Sequence, residues 1–255
     1  MQVKAKKHLG QNFLQDKNII NKIVYSANIK NEEVIEIGPG QGAITGVILE
    51  DAKHLFSYEI DSDMITILND KFSSKDNFSL FYEDFLKADL TKYSKKMILV
   101  ANIPYYITSD ILFKVFEYKH LFKRAIIMMQ KEVAQRIVAK PNSNDYSKLS
   151  VVSQFISEPK ILFDVSPSCF IPAPKVWSSV IEFNFTKETQ QNKDFFDFVK
   201  LCFMFRRKKL FNNLIQKFSK NKILSVFETL GLNESIRSQE LSVNQFILLF
   251  EEFQK

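Results

Sequence analysis

Three of the six glycines in this 255-residue chain fall within five residues, Gly38, Gly40 and Gly42 of E-I-G-P-G-Q-G, and Gly46 follows closely. The apolar run Glu33 to Ile37 ahead of them reads as a strand, and Ala43 to Ala52 behind them reads as a helix. Glycines at a strand-to-helix junction let the backbone approach a ligand and aim helix N–H groups at it. A tight turn without a ligand would use the same residues. The string G-P-G-Q-G-A also satisfies the degenerate dinucleotide pattern, so the loop by itself does not name a cofactor. A second strand, Leu55 to Ile60, carries Glu59 near its end, about 20 residues past the loop, where an acid that bonds ribose hydroxyls belongs.

Strands and helices go on alternating. A helix over Ser62 to Phe72 and a strand over Phe78 to Tyr82 precede Asp84, a carboxylate placed either to accept from an adenine amino group or to cap a turn. Met97 to Ala101 is a fourth strand. A helix from Ser109 to Glu117, a strand from Arg124 to Gln130 and a helix through Ala139 follow. Then come a polar loop, K-P-N-S-N-D-Y-S, and two further strands, Lys160 to Val165 and Trp177 to Phe185. Between those strands Pro167, Pro172 and Pro174 exclude a helix and place Phe170 on a stiff loop. Beyond Lys187 prolines vanish, and Phe195, Phe198, Val199, Cys202 and Phe203 recur at helical spacing. The alternation predicts a doubly wound α/β domain over residues 1–187 with its ligand at the carboxyl ends of the strands. A small all-α domain over 188–255 follows, with the boundary near Thr186 to Asn192.

The fourth strand is left by an unusual turn, Val100 to Tyr106, V-A-N-I-P-Y-Y. Pro104 holds its own φ near −65° and forces Ile103 into an extended conformation, so the carbonyls around Asn102 and Ile103 have set directions. Tyr105 and Tyr106 follow a stiffened backbone. A flat ring beside aimed acceptors suits a planar ligand that offers N–H groups, such as a nucleobase edge. An ordinary turn with surface tyrosines is the competing reading. At the other end of the domain Asp16 is the expected N-cap of a helix carrying Ile19, Ile20, Ile23, Val24 and Ala27. Gln11 and Asn12 before it bear amides free to bond the local backbone or a ligand, the local bonds being the default.

Charge points to a polyanionic partner. The net charge is +6, and Lys200 to Lys222 holds eight basic residues, Arg206, Arg207, Lys208 and Lys209 among them, and no acid. A second basic segment opens the chain, where six lysines face only Asp16 in the first thirty residues. Such runs serve as phosphate grooves or simply as solvated faces. Cys169 and Cys202 lack metal-ligand spacing and the three histidines stand apart from them, so no metal is expected. The N-terminus has no apolar signal region and no apolar run approaches about 18 residues, which predicts a cytoplasmic protein without a membrane partner.

Seven motifs stand in order along the chain: Q-N-F-L, E-I-G-P-G-Q-G, E-I-D, E-D-F, N-I-P-Y, F-I-P-A-P-K-V-W-S-S-V and F-R-R-K-K-L. Together they resemble the ribosomal RNA adenine dimethyltransferases, above all the bacterial KsgA type, over essentially the full length. The resemblance implies a Rossmann-like class I S-adenosylmethionine-dependent methyltransferase fold, α/β with a mainly parallel seven-stranded sheet. It implies S-adenosylmethionine as cofactor, with S-adenosylhomocysteine as product. Gln11, Asn12, Leu14, Gly38, Gly40, Ile60, Phe85 and Asn102 are implied to contact the cofactor, Glu59 to hold its ribose and Asp84 its adenine. The implied substrate is a pair of adjacent adenines in the 3′-terminal hairpin loop of small-subunit rRNA, within a pre-ribosomal particle, each gaining two methyl groups. A monomer is expected, with Arg206 to Lys209 on the RNA.

In that chemistry Asn102 Oδ1 and the carbonyl of Ile103 accept the two amino N–H bonds, leaving the nitrogen lone pair for the methyl group. Pro104 stiffens the turn, and Tyr105 and Phe170 sandwich a flipped base. Two positions depart from the family pattern: Asp110 replaces a common Pro and Ser147 a usual Gly. Three alternatives stand beside this reading. One is a large-subunit rRNA adenine methylase of the macrolide-resistance type, another a non-catalytic rRNA-binding assembly factor. The third, a nicotinamide dehydrogenase, is disfavoured by N-I-P-Y and by the lack of a hydride-relay His or Tyr-Lys pair.

Overall fold

A computed structural model describes residues 5–6, 9–186 and 193–255. The elements run in the order β1 (Phe13–Leu14), α1 (Lys17–Ala27), β2 (Glu33–Ile37), α2 (Ala43–Asp51), β3 (His54–Glu59), α3 (Ser62–Phe72) and β4 (Phe78–Tyr82). Next come β5 (Met97–Asn102), α4 (Thr108–Glu117), β6 (Phe122–Gln130), α5 (Lys131–Val138), α6 (Lys148–Ile156), β7 (Glu158–Val165), β8 (Phe170–Ile171) and β9 (Ser178–Asn184). Four helices close the chain: α7 (Lys193–Cys202), α8 (Leu210–Leu214), α9 (Lys220–Thr229) and α10 (Val243–Gln254).

Seven strands form one sheet in the order β4-β3-β2-β5-β6-β9-β7. Neighbours from β4 to β6 pair in parallel, and β9 runs antiparallel to both β6 and β7, so it alone is reversed. Parallel strands covered on both faces must be apolar on both, and β5 accordingly reads M-I-L-V-A with every one of those side chains buried. Val34, Ile98, Val100, Ile126 and Val180 share one core with Ile20, Ile23 and Val24 of α1 and Ile48 of α2. Phe116 of α4 meets Phe183 edge-on, ring centres 5.5 Å apart. The chain leaves β2 for β3 and β4, then returns to β2's other side as β5. The strand order therefore reverses between β2 and β5, where ligands of open α/β sheets bind.

Two compact units result. One takes residues up to Ala134 with Glu158–Thr186; the other joins Gln135–Ser157 to the C-terminal helices. The boundary expected near Thr186 to Asn192 falls almost wholly on 187–192, outside the described residues. The inclusion of Gln135–Ser157 in the helical unit follows from α6, a helix not expected from the sequence. Its serines have weak helix propensity, yet Leu149, Val151, Val152 and Ile156 are buried, and packing outweighs propensity.

Local signals mostly took the expected form. Asp16 accepts from Asn18 and Ile19 N–H at 2.9 and 3.0 Å, capping α1. The proline segment needs a correction: Pro167–Cys169 is one turn of 3-10 helix with Pro167 at its first position, where the missing N–H is not needed. Asp110 lies in the first turn of α4, where a negative charge suits the helix dipole. Ser147 precedes α6 with φ −155°, extended backbone that requires no glycine.

Candidate active site

A cavity of about 320 Å³ opens at the carboxyl ends of β2, β3 and β5. Its floor is the glycine loop. Gly38, Gly40 and Gly42 all have positive φ, and a Cβ on Gly42 would stand 2.6 Å from the Phe72 ring, so position 42 excludes any side chain on two grounds. A Cβ on Gly38 would lie only 3.5 Å from the carbonyl oxygen of Asn102, which measures how closely the two turns approach.

Glu59 ends β3 at the cavity wall, 6% exposed. Its Oε2 accepts from Gly40 N–H at 3.0 Å, while Oε1 accepts from Ile60 and Asp61 N–H at 2.9 Å each. Burial raises its pKa, against the pull of those three bonds. Ile60 is half exposed beside it. Asp84 and Phe85 line the same wall. Asp84 Oδ1 accepts from Leu86 N–H at 2.9 Å, so the turn-capping role is realised while the side chain also borders the cavity.

The N-terminal segment, Leu9 to Leu14, also lines the cavity. Asn12 Nδ2 donates to the Gly10 carbonyl at 3.1 Å, the default local bond. Gln11 makes one local bond and one distant: Oε1 accepts from Lys6 N–H at 2.8 Å and Nε2 donates to Asp61 Oδ2 at 2.6 Å. Lys6 Nζ reaches Asp61 Oδ1 at 2.5 Å and Asp63 at 2.8 Å. Burial pushes the Asp61 carboxyl up, but the bonds from Lys6 and Gln11 prevail and its pKa is lowered. The Gln11 amide is thus spent on holding the segment in place. Leu14 lines the cavity while packed in the core, and Leu14 and Phe13 pair antiparallel with Phe170 and Ile171.

The N-I-P-Y turn closes the third side. Asn102 Nδ2 donates to the Asn12 carbonyl at 3.5 Å, which leaves its Oδ1 as an acceptor. Ile103, Pro104 and Tyr105 line the cavity with it. Thr108 Oγ1 donates to the carbonyls of Pro104 and Tyr105 at 3.3 and 3.2 Å and pins the turn. Tyr105 and Ser178 hydroxyls are 2.7 Å apart, and burial raises the Tyr105 pKa. Tyr106 also borders the cavity, 62% exposed, with its ring over Gly10.

Phe170 is a correction. It is 3% exposed in the core behind Leu14 and does not line the cavity, so it offers no open face for a base. The cause is the β1–β8 pairing, two residues long and set by contacts remote in sequence. Glu36 was missed, although an acid inside the otherwise apolar E-V-I-E-I strand was a visible signal. It borders the cavity, 2% exposed, and Oε2 accepts from Thr45 and Ser57 hydroxyls at 2.8 Å each. Burial pushes its pKa up to about 7, against those bonds and with help from Glu59.

In the helical unit, the basic turn between α7 and α8 is held by buried Asn213. Its Nδ2 donates to Cys202 O at 2.6 Å and its Oδ1 accepts from Phe205 N–H at 3.0 Å. Arg206 donates to the carbonyls of Asn144 and Tyr146, so its guanidinium anchors the polar loop. Arg207, Lys208 and Lys209 are exposed. Among the described residues no cluster of His, Cys, Asp or Glu could hold a metal, and no helix is long and apolar enough to cross a membrane.

Comparison with known proteins places this geometry. The sequence pattern of the ribosomal RNA adenine dimethylase family matches residues 2–255. The ribosomal RNA small subunit methyltransferase A of Mycoplasma mobile is 48% identical, covering 97% of both chains. That of Mycoplasmopsis pulmonis is 47% identical over 98% of this chain and 99% of its own. Among solved structures, a dimethyladenosine transferase from Plasmodium falciparum superposes with TM-score 0.84 at 30% identity, covering 95% of this chain and 97% of that one. The 23S rRNA methyltransferase ErmE superposes with TM-score 0.72 at 26% identity, covering 96% and 100%. The sheet, with its one reversed strand between β6 and β7, is that of the class I methyltransferases. From the first glycine of the loop to the last basic residue of the turn, the motifs sit on one continuous match, and the chain belongs to the ribosomal RNA adenine dimethylase family.

Proposed function

We propose that this chain dimethylates the exocyclic amino groups of two adjacent adenosines in the 3′-terminal hairpin loop of small-subunit rRNA. It acts as a cytoplasmic monomer on a pre-ribosomal particle, with S-adenosylmethionine as donor. The observation that carries the reading is the Asn102 amide, whose Nδ2 bond to Asn12 leaves Oδ1 as an acceptor in a cavity bounded by the glycine loop.

The cavity fits the cofactor chemically. Glu59 and Asp84 line it together with the apolar Phe85 and Ile60, a mixture that suits a nucleoside. Glu59 Oε2 accepts a single bond from the protein and retains a lone pair for a ribose hydroxyl. Phe85 and Ile60 give an adenine ring apolar contact, and Asp84 has an oxygen left for its amino group. When bound, S-adenosylmethionine supplies a methyl group already activated for transfer.

The residues therefore have to orient the acceptor more than activate it. Asn102 Oδ1 and the Ile103 carbonyl would take the two amino N–H bonds of the unmethylated base, and one of them the single N–H left for the second transfer. In each transfer the nitrogen lone pair would displace the thioether of S-adenosylhomocysteine and one N–H proton would be released. As positive charge grows on that nitrogen, the two acceptors are already in place and need no reorganisation. Pro104 fixes the backbone next to the Ile103 carbonyl, and the Thr108 hydroxyl holds the following carbonyls of Pro104 and Tyr105. Tyr105 gives the base a ring to lie on, with stacking worth about 1–3 kcal/mol.

The test offers labelled S-adenosylmethionine and this chain to unmethylated small-subunit particles and, separately, to large-subunit rRNA, then maps the modified bases. Dimethylation of the two adjacent adenosines in the small subunit is expected. Modification confined to the large subunit would move the chain to the macrolide-resistance branch.

A further inference from the structure

We infer that Trp177 is a second stacking platform, one that receives the nucleotide flanking the target adenine. The inference rests on the rRNA-methylating function proposed above. Trp177 is the one tryptophan of the chain and is 51% exposed, although a large ring gains most from burial. Val176 beside it and Ile171 six residues earlier are 43% and 65% exposed, so the proline-bearing segment presents several apolar side chains to solvent.

Strand register locates this segment at the active-site edge. Asn102 pairs with Met128, Met128 with Val180, and Gln130, at the carboxyl end of β6, with Ser178. Trp177 immediately precedes Ser178, whose hydroxyl holds Tyr105. At about 4.8 Å per strand, the start of β9 lies roughly 10 Å from the strand that presents Asn102. That is a reach of one or two nucleotides of extended single strand.

The chemistry around the ring suits a nucleotide. Lys131 Nζ stands 5.9 Å from the ring centre and is itself held by Asp164 at 2.6 Å, while the Lys131 N–H donates to the Trp177 carbonyl at 2.9 Å. Lys175 adds an exposed positive charge two residues away. An aromatic face with lysines at its margin is the arrangement by which proteins bind single-stranded nucleic acid, base on ring and phosphate near cation.

The experiment measures methyl transfer from labelled S-adenosylmethionine to unmethylated small-subunit particles by wild type, Trp177→Ala and Trp177→Phe. The alanine variant is expected to raise KM for the particles about 5- to 100-fold. Its affinity for S-adenosylmethionine should stay at the wild-type value, which shows that the cavity is intact. The phenylalanine variant, which keeps a ring, should return KM to within about threefold of wild type. Wild-type KM in Trp177→Ala, or equal loss in both variants, overturns the platform. Absence of transfer by the wild-type chain overturns the proposed function instead, and the platform with it.

Discussion

The hydroxyls of Tyr105 and Ser178 meet at 2.7 Å, joining the turn after β5 to the first residue of the reversed strand β9. Ser178 is fully buried, so the bond cannot be replaced by water without rearrangement. Tyr105→Phe removes it and leaves Ser178 Oγ short of a partner, at a cost of about 1–2 kcal/mol that thermal unfolding would register as a drop of a few degrees. The ring remains, so most transferase activity should survive. Tyr105→Ala should lose activity altogether. Equal turnover loss in both variants would show that the hydroxyl acts on the substrate and not only on Ser178.

Asn102→Ala deletes the side-chain acceptor without touching the Ile103 carbonyl. Turnover should fall about 10²- to 10³-fold, the range seen when one preplaced polar group is removed from a transition state. RNA binding should stay within about threefold of wild type. Wild-type turnover would sink the acceptor role.

Glu36 links stability to pH. Its carboxyl titrates near 7 in the folded chain against 4.5 when free, because burial penalises the carboxylate. Between those values the folded state holds a proton that the unfolded state has released, so stability is full below about 4.5 and falls as pH rises to about 7. Glu36→Gln keeps an acceptor for Thr45 and Ser57 and has no charge to bury. Urea unfolding at pH 5 and pH 8 should show the variant gaining on wild type by roughly 2–3 kcal/mol at the higher pH. A constant difference would mean that Glu36 stays ionised throughout.

The basic turn divides into two roles. Arg207, Lys208 and Lys209 replaced together by alanine should flatten the salt dependence of RNA binding, by about 0.7–0.9 in log–log slope for each phosphate no longer neutralised. Arg206→Ala alone should instead cost stability, about 1 kcal/mol, because its guanidinium serves the carbonyls of Asn144 and Tyr146. Unfolding midpoints and salt titrations on the same two variants separate these effects. An unchanged slope in the triple variant would return those side chains to a merely solvated face.

What could be read from the sequence was whatever is encoded locally. Strands buried on both faces announce themselves as unbroken apolar runs, and β2 and β4 matched their expected bounds. The glycine loop, Glu59 and the N-I-P-Y turn were legible because each needs a special residue type at a set place. Contacts made across the chain were not. Gln11 carries no mark of its bond to Asp61, nor Arg206 of its bond to Asn144, since an amide or guanidinium looks alike whether it serves a ligand or a carbonyl. Phe170 was misplaced for the same reason: a two-residue strand has no periodicity, so its pairing with Leu14 exists only in three dimensions. Glu36 was legible in principle, as the acid in an otherwise apolar strand, but the glycines next to it carry the stronger signal.

One wall of the cavity also sets a timetable. Phe13 and Leu14 are made early in synthesis, yet their strand partners Phe170 and Ile171 leave the ribosome only after nearly the whole α/β unit has been translated. Until then the segment that carries Asn12 has no ladder to join, although its clasp on Asp61 is within reach much sooner. The wall of the cavity that carries Asn12 therefore acquires its two-residue ladder only late in synthesis, long after the residues of its clasp on Asp61 have been made.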